Sequence, residues 1–325
     1  MTPSFVRVHF SEAQRRRHKW RNLFHSLLLL AGMALILALC GYALWGGEGV
    51  WWALAGGALA FLLSPQIPPE WVMRAYGARR VEGGVLPQVE ALLATLAARA
   101  ELPRVPALYW VPSRVLNAFA VGRPGRASIA VTDGLLRSLT LRELAGVLAH
   151  EVSHIRNDDL WLMQLADVMS RVTSLMSWLG QLLFLFNLPL ALVGRATISW
   201  LLVFVLVFAP TLMALLQLAL SRAREFDADL DAAALTGDPA GLASALAKLE
   251  RLQGRFWEEI FFPGRRIPEP SLLRTHPPTE ERIRRLLSLY EVEATPLVPE
   301  EPLHLPEFLP PIGHGPRFRR FGLWY

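Results

Sequence analysis

The chain has 325 residues, 53% of them hydrophobic and only 19% charged, with a mean hydropathy of +0.31. Soluble domains carry about a quarter charged residues, so the composition excludes a disordered or fibrous chain and argues against a wholly soluble one. The net charge is +5, Lys19 and Lys248 are the only lysines among 33 basic residues, and the single Cys40 excludes an intramolecular disulfide and a cysteine-based zinc site.

Residues 1–21 form a basic segment holding Arg15, Arg16, Arg17, Lys19 and Arg21. Residues 23–45 follow without a single Asp, Glu, Lys or Arg, and a second apolar run extends from Val50 to about Ile67 after the turn Gly46-Gly47-Glu48-Gly49. A helix needs about 20 apolar residues to cross the hydrocarbon layer. Residues 22–69 therefore read as one transmembrane hairpin. Between residues 70 and 171 the chain turns soluble. A helix is expected between Pro87 and Pro103, and short strands at 107–111, 117–121 and 128–131. Thr140 and Glu143 form a capping box for a further helix. Residues 172–194 and 198–220 are two more apolar runs, giving a second hairpin over 172–220. Helices are expected at 221–235, 238–253 and 279–290, within a second soluble part, 221–293. Residues 294–325 are a Pro-rich tail, either disordered or laid along the body.

Arg and Lys fix the orientation, because positive residues stay in the cytoplasm. They precede the first run, follow the second as Arg74, Arg79 and Arg80, and flank the second hairpin as Arg156, Arg171, Arg222 and Arg224. Arg195 in a far turn is the exception. The N-terminus and both soluble parts should thus be cytoplasmic. The basic excess has a membrane explanation, so no nucleic-acid partner is expected.

The helix after Thr140 contains His150-Glu151-Val152-Ser153-His154. Residues four apart share a helix face, so both imidazoles reach one zinc ion, and Glu151 is placed to act as general base on a water. A surface helix that happens to hold two His is the plain alternative. A third ligand must come from afar. The best candidate is Glu225 in Ser221-Arg-Ala-Arg-Glu225-Phe-Asp-Ala-Asp229, with Asp229 four residues on. One of these acids can ligate while the other holds a ligand His by its second N–H. An acidic solvated helix face is the alternative. Two crossings separate His154 from Glu225, which returns the chain to the same side of the membrane.

At these segments the chain resembles HtpX, the bacterial member of the integral-membrane zinc metallopeptidases that include the CAAX prenyl proteases. The resemblance rests on Asn117-Ala-Phe-Ala-Val-Gly122, Leu144-Ala-Gly-Val-Leu-Ala-His-Glu-Val-Ser-His154, the 221–229 segment with Ala233 to Gly237, and Thr275-His-Pro-Pro with Arg282-Ile283. It covers roughly residues 20–290, leaving out the basic N-terminal extension and the Pro-rich tail. It implies that His150, His154 and Glu225 ligate one zinc per chain and that Glu151 is the base. It further implies that Asn117 helps hold substrate and that His276 and Arg282 stand near the metal, His276 as oxyanion donor and Arg282 towards substrate.

The expected fold is mainly α: a multi-pass membrane protein with a zincin-like catalytic domain, helices plus a small β-sheet, split by a transmembrane hairpin. The expected function is that of a zinc endopeptidase at the cytoplasmic face of the inner membrane, and the resemblance implies a role in quality control of misfolded membrane proteins. Its partners would be the lipid bilayer and protein or peptide substrates. A CAAX-type prenyl-protein endopeptidase, a protease cutting inside the bilayer and a non-catalytic zinc-stabilised membrane adaptor are the rivals.

Overall fold

Branched and aromatic residues build a small sheet in a computed structural model that describes residues 12–64, 68–194, 199–261, 278–288, 297–298, 300–303 and 305–306. Its strands are β1 (Arg79–Arg80), β2 (Ala107–Val111), β3 (Ala118–Arg123) and β4 (Arg126–Thr132), in the order β1-β2-β4-β3. β2 and β4 lie centrally and parallel, Ala107 opposite Ser128 and Val111 opposite Thr132, with Leu108, Ile129, Ala130 and Val131 buried. β3 pairs only with β4, antiparallel, so its other side is a sheet edge. Gly122 turns that strand at φ +97°, and a Cβ there would meet the Arg126 carbonyl oxygen at 2.3 Å. Three elements were not foreseen: the helix Pro69–Ala75, β1 and the six-residue helix Asp133–Ser138. β1 is two arginines that pair through their backbones with Tyr109 and Trp110.

Helices surround the sheet: α2 (Pro69–Ala75), α3 (Pro87–Arg99), α4 (Asp133–Ser138) and α5 (Leu141–Arg156). Thr132 caps α4, its Oγ1 accepting the Leu135 N–H. α5 starts at a complete capping box, in which Thr140 accepts the Glu143 N–H and donates its own N–H to the Glu143 carboxylate. Leu144, Leu148, Val152 and Ile155 of α5 are fully buried, each contributing roughly 1.5–3 kcal/mol. α8 (Pro239–Phe261) crosses α5 so closely that a Cβ on Gly146 would meet Leu242 Cα at 2.8 Å. α9 (Thr279–Leu287) completes this layer, with Leu286 in the same core. Part of the tail lies along the body: Leu141 donates its N–H to the Glu301 carbonyl, and Leu303 and Leu305 pack against the core.

The chain divides into two compact units, one drawing on Ile67–Leu160 and Glu225–Tyr325, the other on Arg17–Gln66 and Trp161–Arg224. The second unit is helical. α1 (Glu12–Leu62) is broken at Trp45 and Gly46, whose φ/ψ are non-helical. Its two legs fold back on each other, since a Cβ on Gly41 would meet the Gly49 carbonyl at 2.3 Å and one on Gly57 would meet Leu37. α6 (Asp159–Leu192) and α7 (Trp200–Thr236) touch where Gly180 meets Leu206. Among the described residues, three helices are long and apolar enough to cross a membrane: Leu23–Leu62, Asp159–Leu192 and Trp200–Thr236. Leu39, Trp51, Leu175, Phe186, Leu201 and Phe204 stand exposed on them. An apolar exterior of this kind suits lipid rather than water. α6 begins at Asp159, well before the apolar run, because an amphipathic stretch with an Asp167–Arg171 ion pair extends it. α7 likewise continues unbroken from the apolar run to Thr236, with no Gly or Pro after Pro210 to stop it.

Candidate metal centre

α5 places His150 and His154 one turn apart, with their Nε2 atoms 3.1 Å from each other. α7 brings Glu225 to them: its Oε2 is 3.5 Å from His150 Nε2 and its Oε1 is 3.7 Å from His154 Nε2. An ion bonded at about 2.0–2.1 Å to three tetrahedrally arranged donors spaces those donors about 3.3 Å apart. The separation of the two Nε2 atoms and that of each from its nearer Glu225 oxygen lie close to that value, and these residues form the one cluster of metal-ligating groups among the described residues.

The far side of each imidazole faces a carboxylate. His150 Nδ1 lies 3.1 Å from Asp229 Oδ1, at ion-pair distance rather than with the straight geometry of a hydrogen bond. His154 Nδ1 lies 2.8 Å from Asp159 Oδ2. Both Nε2 atoms are thereby left for the common point. Asp229 is held in turn by Arg282, whose Nε and Nη2 donate to its two oxygens at 2.7 and 2.6 Å. Arg282 Nη1 also stands 3.2 Å from Glu225 Oε2. The guanidinium, expected near substrate, is thus buried and turned towards the carboxylates of the cluster.

His150, Glu225, Asp229 and Arg282 are all buried. Two acids against one arginine leave a negative excess that asks for a cation. His150 shows this: burial opposes its charged form, yet Asp229 and Glu225 outweigh burial and push its pKa up to about 10. A divalent ion would meet the same demand at the Nε2 side. Glu151 carries a raised pKa, chiefly because burial disfavours its charge, while His154, His150 and the Ala120 backbone of edge strand β3 act in the opposite direction. Arg282 keeps its charge firmly: burial opposes it, but the Asp229 contact raises its pKa further.

Asn117 is exposed at the head of β3, its backbone N–H and carbonyl both bonded to Thr132 Oγ1. His276 lies outside the described residues. Asp159 was missed by sequence reasoning. It falls five residues after His154, beyond the helix, where no helical spacing rule selects it.

The Peptidase family M48 model matches residues 86–290. The chain belongs to peptidase family M48. Proteins called protease HtpX homolog resemble it along most of their length. The one from Methylibium petroleiphilum is 34% identical over 291 residues, covering 82% of this chain and 98% of that protein. The one from Acaryochloris marina is 38% identical over 280 residues, covering 82% and 94%. A solved structure, S. mikatae Ste24p, superposes with a TM-score of 0.47 at 20% identity, covering 83% of this chain and 66% of that one. This M48 chain is an HtpX-like membrane metallopeptidase, and its activity is metal-dependent.

Proposed function

We propose that this chain is a zinc-dependent endopeptidase that hydrolyses peptide bonds at the cytoplasmic face of the inner membrane, acting on misfolded membrane proteins in quality control. The observation that carries the reading is the spacing of His150 Nε2, His154 Nε2 and the Glu225 carboxylate at 3.1, 3.5 and 3.7 Å. Two imidazoles and a carboxylate suit zinc and leave a fourth position open. Bound there, zinc supplies a Lewis acid for the scissile carbonyl and lowers the pKa of a water.

The chain's own residues do the rest. Glu151 takes the proton of the attacking water and later delivers it to the leaving amine. Its raised pKa makes it a stronger base than an exposed carboxylate. Asp229 orients His150, and Arg282 offsets the charge of Asp229 and Glu225. His276, by its place in the resemblance, donates to the developing oxyanion. The free edge of β3, headed by Asn117, accepts an extended peptide as an added strand. Residues 70–171 and 221–293 form the catalytic part, 22–69 and 172–220 the membrane hairpins, and the arginines at their flanks support the cytoplasmic side.

Purified wild type and Glu151→Gln, compared on casein, test this. Wild type should cut, stop with a chelator and recover with zinc, while Glu151→Gln should hold zinc and stay inert. A Glu151→Gln enzyme cutting at the wild-type rate would contradict the mechanism.

A further inference from the structure

The turn joining α5 to α6 sorts three consecutive polar residues onto three different elements. Asn157 ends α5 and donates from Nδ2 to Asp231 Oδ2 of α7 at 3.0 Å. Asp158 adopts φ +52°, a left-handed conformation that Asp tolerates better than most residues. Its carboxylate reaches Arg123 at the end of β3, 2.6 Å away. The next residue, Asp159, points elsewhere. Its side chain is only 5% exposed and its Oδ2 lies 2.8 Å from His154 Nδ1. A buried carboxylate is costly unless paired, and here its partner is an imidazole whose other nitrogen faces the metal cluster.

We propose that Asp159 is a positioning residue of the metal site, one that fixes the ring and tautomer of His154 as Asp229 does for His150. This rests on the zinc reading above. Accepting from Nδ1–H leaves the Nε2 lone pair of His154 for the ion and makes the ligand more basic. Asp159 is also the first residue of α6, so the orientation of a metal ligand depends on where that helix begins. A merely structural role is the competing explanation, because an acid in the first turn of a helix favours its dipole. That role would affect folding but not metal affinity.

Zinc affinity, measured against a competing chelator, separates the two. Asp159→Ala should weaken zinc binding by about 10- to 100-fold, the usual effect of losing such a carboxylate, and should shift the visible bands of the cobalt-substituted protein. Asp159→Asn keeps the shape and a weaker acceptor. It should show a smaller loss with the same band shift, and it carries the test if the Ala variant does not fold. Asp158→Ala, which removes the neighbouring acid from Arg123 but not from His154, should leave affinity and spectrum at wild-type values. Wild-type affinity and spectrum in Asp159→Ala would overturn the proposal, as would an equal loss in Asp158→Ala. A wild type that binds no zinc would overturn the zinc reading and this proposal together. Zinc-binding wild type beside an unaffected Asp159→Ala would overturn this proposal alone.

Discussion

Glu151 and Glu225 both face the two imidazoles of α5, yet their surroundings differ. Glu225 aims both oxygens at the two Nε2 atoms, whereas the charge of Glu151 is disfavoured by burial. Substituting them should therefore separate binding from chemistry. Glu151→Gln should retain zinc and lose hydrolysis by at least about 10²-fold, the lower range for a general base, read as kcat/KM on a peptide. Asp229→Ala should keep a measurable site but raise the zinc Kd by about 10- to 100-fold, because it frees the His150 ring and takes from Arg282 the carboxylate it grips at two points. A wild-type Kd in that variant would remove Asp229 from the site. At this scale the sequence was most legible where helical spacing applies. His150 with His154 and Glu225 with Asp229 are i, i+4 pairs, and periodicity finds such pairs. Asp159 lies past a left-handed turn, and Arg282 on a separate helix, so neither partner follows from spacing.

The helix α5 shows what one element contributes. Its start is held by Glu143, which is buried and bonded to Thr140, Ser244 and Lys248. Burial alone would raise the Glu143 pKa, but the Thr140 N–H, Lys248 and Ser244 together lower it below the ordinary carboxylate value. A lowered folded-state pKa contributes stability that is present above the unfolded pKa and lost as pH falls through the folded one. Wild type should therefore lose more stability than Glu143→Gln between neutral pH and about pH 3, seen as converging Tm values. Parallel Tm curves would remove that contribution. Gly146→Ala supplies a second test. Ala is the better helix former by about 1 kcal/mol, but here its Cβ would strike the Leu242 backbone of α8. The variant should be destabilised by about 1–3 kcal/mol in denaturant titration; a stabilised variant would show that α5 and α8 do not approach this closely. Elements with a strong period or a cap, such as β2 and α5, were readable in advance. β1 was not, because two exposed arginines make a strand only through the backbone of their neighbour. α4 was not, because six residues are too few to show a helical period.

For the whole molecule, α6 and α7 both lie in sequence between His154 and Glu225, and the proposed topology has each of them cross the membrane once, an even number of crossings. The first hairpin was legible from its glycine turn, and the structure puts the break at Trp45 and Gly46. The length of α6 and α7 was not legible, because hydropathy marks where a helix is apolar rather than where it ends. The proposed orientation predicts that, in a Cys40→Ser background, single-Cys reporters at Gly125 and Ser271 resist an impermeant thiol reagent on sealed cells. A reporter at Gly47 should react from outside. Labelling at Gly125 but not Ser271 would put the two soluble parts on opposite sides. Metal content is the sharpest test of the shared site, because it needs no substrate. Purified wild type should hold one zinc per chain and Glu225→Ala almost none, with both proteins folded by circular dichroism. Equal zinc in the two would contradict a metal centre built from α5 and α7.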